Sequence, residues 1–161
     1  MKNKAVFFDR DGTINNNSDY YVFSPERFVF NPGVIETLQK LTEKGYLLFI
    51  VSNQSGIAKG IYGHDDVKNV HDFMNRQLAE KGIVFTGIIY CSHHPEHGKC
   101  LCRKPQSLLI ERLAARHSVD LSASYMVGDA QRDIDAGTAA GLSGILIEAN
   151  SDISSILEKI V

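Results

Sequence analysis

Four aspartates fall in two short stretches far apart in the chain: Asp9 and Asp11 in "FFDRDGT" (7–13), Asp129 and Asp133 in "GDAQRD" (128–133). Between them, "CRKP" (102–105) supplies Arg103 and Lys104, and "SNQSG" (52–56) supplies Ser52 and Asn53 as hydrogen-bonding groups, with Thr13 beside the first pair. Carboxylates gathered at one place repel unless a cation shares them, and hard oxygen donors select Mg²⁺, which commonly bridges to a phosphate. Lysine and arginine beside such a cluster make sense when a dianionic group also sits there. The combination describes phosphoryl chemistry on a small phosphorylated molecule. Aspartate is itself a competent nucleophile towards phosphorus, dividing one difficult displacement into two easier ones through an aspartyl-phosphate. Residues i and i+2 of an extended chain share a face, so Asp9 and Asp11 are expected side by side. Taken singly, any of these aspartates reads equally well as a turn former or helix cap, Asp129 above all, since it follows Gly128 and precedes a helix.

A second constellation lies in "CSHHPEHGKCLC" (91–102). Thiolates and an imidazole nitrogen make a closed four-coordinate Zn²⁺ site, and the spacing assigns Cys91, His93, Cys100 and Cys102 to it. His94 and His97 are spare donors. With four protein ligands no position remains for substrate, so this zinc is expected to be structural. Its expected effect is to brace the loop so that Arg103 and Lys104, directly after the last ligand, point into the phosphate site.

These groups must be carried by the elements around them. Short apolar runs at 4–8, 46–52, 87–91, 124–129 and 143–147 read as strands, and amphipathic segments at 32–45, 64–82, 106–117, 131–141 and 151–160 as helices. Pro32 is expected in the first turn of the first helix, and Gly45 at its end. Strand and helix in alternation imply an α/β, Rossmann-like parallel sheet with helices on both faces. In such sheets ligands bind beyond the carboxyl ends of the strands, and here each of four strand ends delivers polar groups towards one rim. Two stretches break the alternation. Residues 14–31 are expected to form a hairpin or flap, and "GIAKG" (56–60) a helix-starting turn lining the pocket. Neither is long enough for a cap domain, so one domain over 1–161 with an open site is expected.

Composition narrows the field. The chain has 161 residues, 43% hydrophobic and 22% charged, with a formal charge of −2. No basic surplus suggests nucleic acid, and no apolar run suggests a membrane span. Three cysteines, an odd number, argue for metal chemistry over a disulfide framework and for a reducing, cytoplasmic setting. Nothing in the composition sets an oligomeric state.

Taken in order, "DRDGT", "SN", "RKP" and "GDAQRD" resemble the four motifs of the haloacid dehalogenase (HAD) superfamily of phosphatases. With "YCSHHP" (90–95), "CLCRKP" (100–105) and "SYMVGD" (124–129), the chain is similar to the zinc-loop branch that holds the heptose-1,7-bisphosphate 7-phosphatases and the histidinol-phosphate phosphatases. The resemblance implies a capless HAD-type fold and a Mg²⁺-dependent phosphatase. It implies Asp9 as nucleophile and Asp11 as general acid and base, with the Asp11 carbonyl on the metal. It also implies Thr13 and Ser52 on the phosphoryl oxygens, Lys104 as the neutralising cation, Asp129 as metal ligand and Asp133 as its support. Asn53 and Arg103 would meet the substrate beyond the scissile phosphate. The implied reaction removes the C7 phosphate of a heptose 1,7-bisphosphate on the route to lipopolysaccharide or surface glycans, with histidinol phosphate as the alternative substrate. One departure stands out: where the heptose enzymes often carry lysine after the fourth-motif aspartate, this chain has Ala130.

Overall fold

A computed structural model describes residues 1–161. The five strands are β1 (Ala5–Phe8), β2 (Leu47–Asn53), β3 (Gly87–Cys91), β4 (Tyr125–Gly128) and β5 (Ser143–Leu146). They form one sheet in the order β3-β2-β1-β4-β5, each neighbouring pair parallel. The helices are α1 (Val34–Glu43), α2 (His64–Ala79), α3 (Leu108–Arg116) and α4 (Gln131–Ala140).

Strand β1 explains the architecture. It reads Ala-Val-Phe-Phe with no polar residue and is buried on both faces, as a central parallel strand requires. Its period of two divides the core. Val6 and Phe8 face a cluster completed by Leu38 and Leu41 of α1 and by Val70, Met74 and Leu78 of α2. Ala5 and Phe7 face the opposite side, against Ile110 and Leu113 of α3 and Ala136 of α4. Phe7 stacks on Phe49 of β2 with centroids 4.8 Å apart. From β1 the chain first builds β2 and β3 to one side, then crosses to build β4 and β5 on the other. The strand order therefore reverses at the carboxyl end of β1, where Asp9 follows, and such a switch point opens a crevice.

Several details differ from the sequence-based expectation. Pro32 lies outside α1, because Gly33 caps that helix with φ +75° and helical geometry starts at Val34. Gly45 does end it, at φ +81°. The segment 151–160 is not an α-helix but a 3-10 turn over Ser154–Glu158. Ile153, Ile156 and Ile160 are its buried anchors, and a spacing of three from 153 to 156 keeps both on the inner side of a 3-10 turn. Residues 14–31 pair only through an isolated antiparallel bridge between Asn15 and Phe30 and a 3-10 turn at Pro25–Arg27. Residues 56–60 do not start a helix: α2 begins at His64, where Asp66 in the first turn reaches back to accept from the Gly63 amide at 2.8 Å. No segment outside the sheet and its helices forms a cap, and no helix is long and apolar enough to cross a membrane.

Candidate active site

Past Phe8 the backbone leaves the strand and wraps around one carbonyl. The amides of Thr13, Ile14 and Asn15 all point at Arg10 O. Gly12 sits at φ +87° inside this turn, and a Cβ there would lie 2.5 Å from Asp129 Oδ2. The turn, not an extended strand, therefore sets the relation of Asp9 to Asp11, although both line the same hollow. That hollow encloses about 100 Å³, roughly three water volumes. A phosphoryl group fits there, and the rest of a larger substrate must extend outwards. Asn17, Tyr20 and Tyr21 of the 14–31 segment, with Asn53, Gln54, Arg103, Asp129 and Arg132, complete the wall. A larger open groove of about 780 Å³ between Pro25–Glu26 and α2 has no comparable convergence of carboxylates and cations.

Behind Asp9 lies Lys104, fully buried. Its ammonium is 2.7 Å from Asp9 Oδ1 and 2.7 Å from Asp133 Oδ1, and donates to Val51 O at 2.7 Å. Burial alone would depress this ammonium, but Asp9 and Asp133 outweigh it and hold the group above its usual value, hence charged. Burial pushes the Asp9 carboxyl well above the usual carboxylate range against the pull of Lys104, and Asp133 and Asp129 push the same way. Carboxylate oxygens of Asp9, Asp129 and Asp133 gather within 4.8 Å of one another. Three carboxylates against one ammonium leave a surplus of negative charge, and this donor set fits a hard divalent cation. The carboxylate of Asp11 is outside that group, already taken up by Arg10, Asn15 and Gln54.

Asp129 is not the helix cap that its position allowed. The cap of α4 is Ala130, whose amide donates to Asp133 Oδ2 at 3.1 Å. Both oxygens of Asp133 are therefore engaged within the protein, one by that amide and one by Lys104. Asp129 keeps Thr13 as its partner, at 3.3 Å from Oγ1 to Oδ1. The Thr13 hydroxyl thus steadies Asp129. The Ser52 hydroxyl accepts from Gln54 at 2.8 Å and keeps its own proton to donate. Asn53 spends both ends of its amide on the backbone of Lys104, accepting from its N at 3.0 Å and donating to its O at 3.2 Å. Its side chain therefore clamps the lysine segment to the end of β2. Arg103 lines the hollow and donates to His93 O at 3.3 Å, tying the hollow's wall to the cysteine loop.

In that loop the donor atoms of Cys91, His93, Cys100 and Cys102 fall within 4.8 Å of one another. Cys91 Sγ lies 3.1 Å from Cys102 Sγ, 3.8 Å from Cys100 Sγ and 3.4 Å from His93 Nδ1. Tetrahedral zinc–sulfur bonds of about 2.3 Å put sulfurs roughly 3.8 Å apart, so the donor set fits Zn²⁺. Burial holds the Cys91 thiol up at about 12, with the neighbouring thiol of Cys102 acting the same way. The spare donors His94 and His97 are outside this cluster.

Sequence reasoning gave no part to Arg10, Gln54, Tyr62, His71 or Arg132. Arg10 is 0% exposed. It pairs with Asp11 at 2.8 Å, donates to Val22 O and meets His71 Nε2 at 3.3 Å. His71 must present a bare nitrogen to that guanidinium; burial, then Arg10, push it down to about 4. An arginine between two motif aspartates was the available signal, and a helical histidine 61 residues away was none. Arg132 lines the hollow two residues beyond Ala130 and adds a second guanidinium to the wall that Arg103 also lines.

Comparison with known proteins agrees with this geometry. A family model described as HAD-hydrolase-like matches residues 101–159. The D-glycero-α-D-manno-heptose-1,7-bisphosphate 7-phosphatase of Burkholderia mallei is 42% identical over 97% of this chain and 85% of its own length. The corresponding β-anomer phosphatase of Haemophilus influenzae is 43% identical over 86% of this chain and 77% of its own. The crystal structure of D,D-heptose 1,7-bisphosphate phosphatase from Bordetella bronchiseptica, complexed with magnesium and phosphate, superposes with a TM-score of 0.85. It is 35% identical and covers 97% of this chain and 86% of that one. The chain belongs to the HAD-type phosphatase family that contains the heptose-1,7-bisphosphate 7-phosphatases.

Proposed function

We propose that this phosphatase removes the C7 phosphate of D-glycero-D-manno-heptose 1,7-bisphosphate through an aspartyl-phosphate on Asp9. The observation that carries the reading is the convergence of Asp9, Asp11, Asp129 and Lys104 at one hollow past the carboxyl ends of β1 and β4. The relatives' substrate supports the sugar.

In this reading the phosphoryl group enters the hollow and the sugar extends past Tyr20 and Tyr21. Asp9 Oδ attacks phosphorus, while Lys104 offsets charge on the nucleophile and the transferring oxygens. Ser52 donates its free proton to a phosphoryl oxygen. Asp11 gives a proton to the departing C7 oxygen, then takes one from the water that opens the aspartyl-phosphate. Asp9, Asp129 and the Asp11 carbonyl would hold Mg²⁺, which supplies charge neutralisation and alignment of the phosphoryl group when bound. Thr13 and Gly12 place Asp129 for this, and Asp133 orients Lys104. Arg103 and Arg132 flank the mouth, where the distal phosphate of a bisphosphate would lie. Cys91, His93, Cys100 and Cys102 would hold Zn²⁺, which makes the loop rigid behind Arg103 and Lys104. Its thiolates suit a reducing compartment, and we place the enzyme in the cytoplasm, as one domain over 1–161.

The test is kcat/KM for the α and β heptose bisphosphates and for histidinol phosphate, with and without Mg²⁺. The heptose bisphosphate should be preferred, and EDTA should abolish turnover. Asp9→Asn should fold normally and lose at least roughly a hundredfold in kcat. A preference for histidinol phosphate would replace the substrate, and full activity in Asp9→Asn would remove the mechanism.

A further inference from the structure

Asp11 is held by an unequal set of donors. Oδ1 accepts from Arg10 Nη2 at 2.8 Å, Arg10 Nε at 3.2 Å and Asn15 Nδ2 at 3.1 Å. Oδ2 accepts from Gln54 Nε2 alone, at 2.9 Å. An ionised carboxylate has about two lone-pair sites on each oxygen. Oδ1 is therefore filled, and Oδ2 keeps one open site on a side chain 19% exposed at the hollow.

The direction of Gln54 is settled by its neighbours. Only the NH₂ end of an amide can face a carboxylate oxygen, since the carbonyl end would set acceptor against acceptor. The opposite end, Oε1, accepts from the Tyr62 hydroxyl at 2.6 Å. The second proton of Nε2 goes to Ser52 Oγ at 2.8 Å. Three side chains thus consume the amide's donors and its carbonyl in one arrangement. Tyr62 reaches this position only because residue 56 is glycine: a Cβ there would lie 2.1 Å from its Cε1. Phe23 of the 14–31 segment stacks on the outer face of the Tyr62 ring, centroids 5.3 Å apart.

We propose that Gln54, fixed in direction by Tyr62, is a positioning residue for proton transfer, turning the open site of Asp11 Oδ2 to the leaving-group oxygen. The inference rests on the proposed function, in which Asp11 is the acid and base. As the phosphorus–oxygen bond to the alcohol breaks, the proton on Oδ2 passes to that oxygen and its electron pair stays on Asp11. The new carboxylate is held by Gln54 and Arg10. In the second half the attacking water bonds to phosphorus, the Asp9–phosphorus bond breaks, and the water's proton returns to Oδ2. The same Nε2 group fixes the Ser52 hydroxyl, so proton donor and phosphoryl contact keep a constant relation.

The experiment compares two substrates that need the acid to different degrees: the heptose bisphosphate, an alkyl ester with a poor leaving group, and p-nitrophenyl phosphate, whose phenolate leaves unaided. Asp11→Asn is the reference and should lose far more on the alkyl ester. Tyr62→Phe and Gln54→Leu should lower the alkyl-to-aryl ratio of kcat/KM by about tenfold, through kcat and with KM nearly constant. Equal losses on both substrates, or an unchanged ratio in Tyr62→Phe, overturn the inference while leaving Asp11 as the acid. Equal losses in Asp11→Asn itself overturn the role of Asp11 and the inference with it.

Discussion

Lys104 is the residue on which most of the site's electrostatics turns. Its ammonium is out of water, yet Asp9 and Asp133 each approach it to 2.7 Å. Removing one member of a buried ion pair leaves the others uncompensated, which typically costs about 3–5 kcal/mol. Lys104→Met should therefore lower unfolding free energy by roughly that amount in urea titrations without Mg²⁺, and reduce kcat at least about a hundredfold. A stable but inactive variant would separate the two effects. His71 makes a different prediction. Its folded value of about 4 lies below the ordinary histidine value, which is about 6.5 in an unfolded chain. Between those values the unfolded state binds the extra proton, so stability rises with pH and is lost on acidification, by at most about 3 kcal/mol. His71→Gln, which keeps an acceptor for Arg10, should flatten this part of the stability–pH curve relative to wild type. An unchanged slope would mean that His71 is protonated in the fold.

At the scale of elements, the decisive piece is the loop from Cys91 to Cys102, which has almost no core of its own. Apart from Cys91 its residues are exposed or half-buried, so metal affinity would stand in for apolar burial. The loop is tied to the hollow by Arg103 on His93 O and by Asn53 on the Lys104 backbone. Elemental analysis should find about one zinc per chain. His93→Ala or exhaustive chelation should lower Tm by several degrees, and should lower kcat as well, because the loop carries Arg103 and Lys104. Activity that survives complete zinc removal would show that the packing of Pro105 onwards is enough. The 14–31 segment behaves differently: its aromatic residues Tyr21 and Phe23 pack on Tyr62, so it is a wall of the hollow without being a regular hairpin.

For the whole molecule, the strand order and the electrostatics meet at one place. The reversal of strand order at β1 opens the crevice, and the surplus of carboxylates makes it unfavourable until cation and phosphate arrive together. Mg²⁺ with orthophosphate should raise Tm by more than the sum of their separate shifts, since each offsets charge that the other brings. At concentrations a hundred times the dissociation constant the stabilisation is about 2.7 kcal/mol. Additive, independent shifts would show that the two ligands do not share the hollow. The absence of a cap fits a hollow of about 100 Å³ that is large enough for a phosphoryl group and open at its mouth to the rest of a substrate.

How much was legible in the sequence follows from which interactions are local. The alternation of strands and helices could be read because apolar period and chain punctuation are properties of neighbouring residues, and β1, β3 and α4 lie where their runs place them. The groups Asp9, Asp11, Lys104 and Asp129 were legible because parallel strands deliver their carboxyl ends to one edge. Three features lay beyond that reach. The turn at Gly12 replaced the extended chain assumed for Asp9 and Asp11, since its reason is the approach of Asp129 from 117 positions away. The terminal segment read as a helix from its apolar spacing, but its isoleucines pack under α1 in a single 3-10 turn. The chain's Arg10–His71 and Gln54–Tyr62 contacts were invisible in one dimension. The first needs a side chain of α2 to arrive from 61 positions away, and the second needs the β2–α2 connection to fold back on itself over Gly56, which only the packed structure fixes.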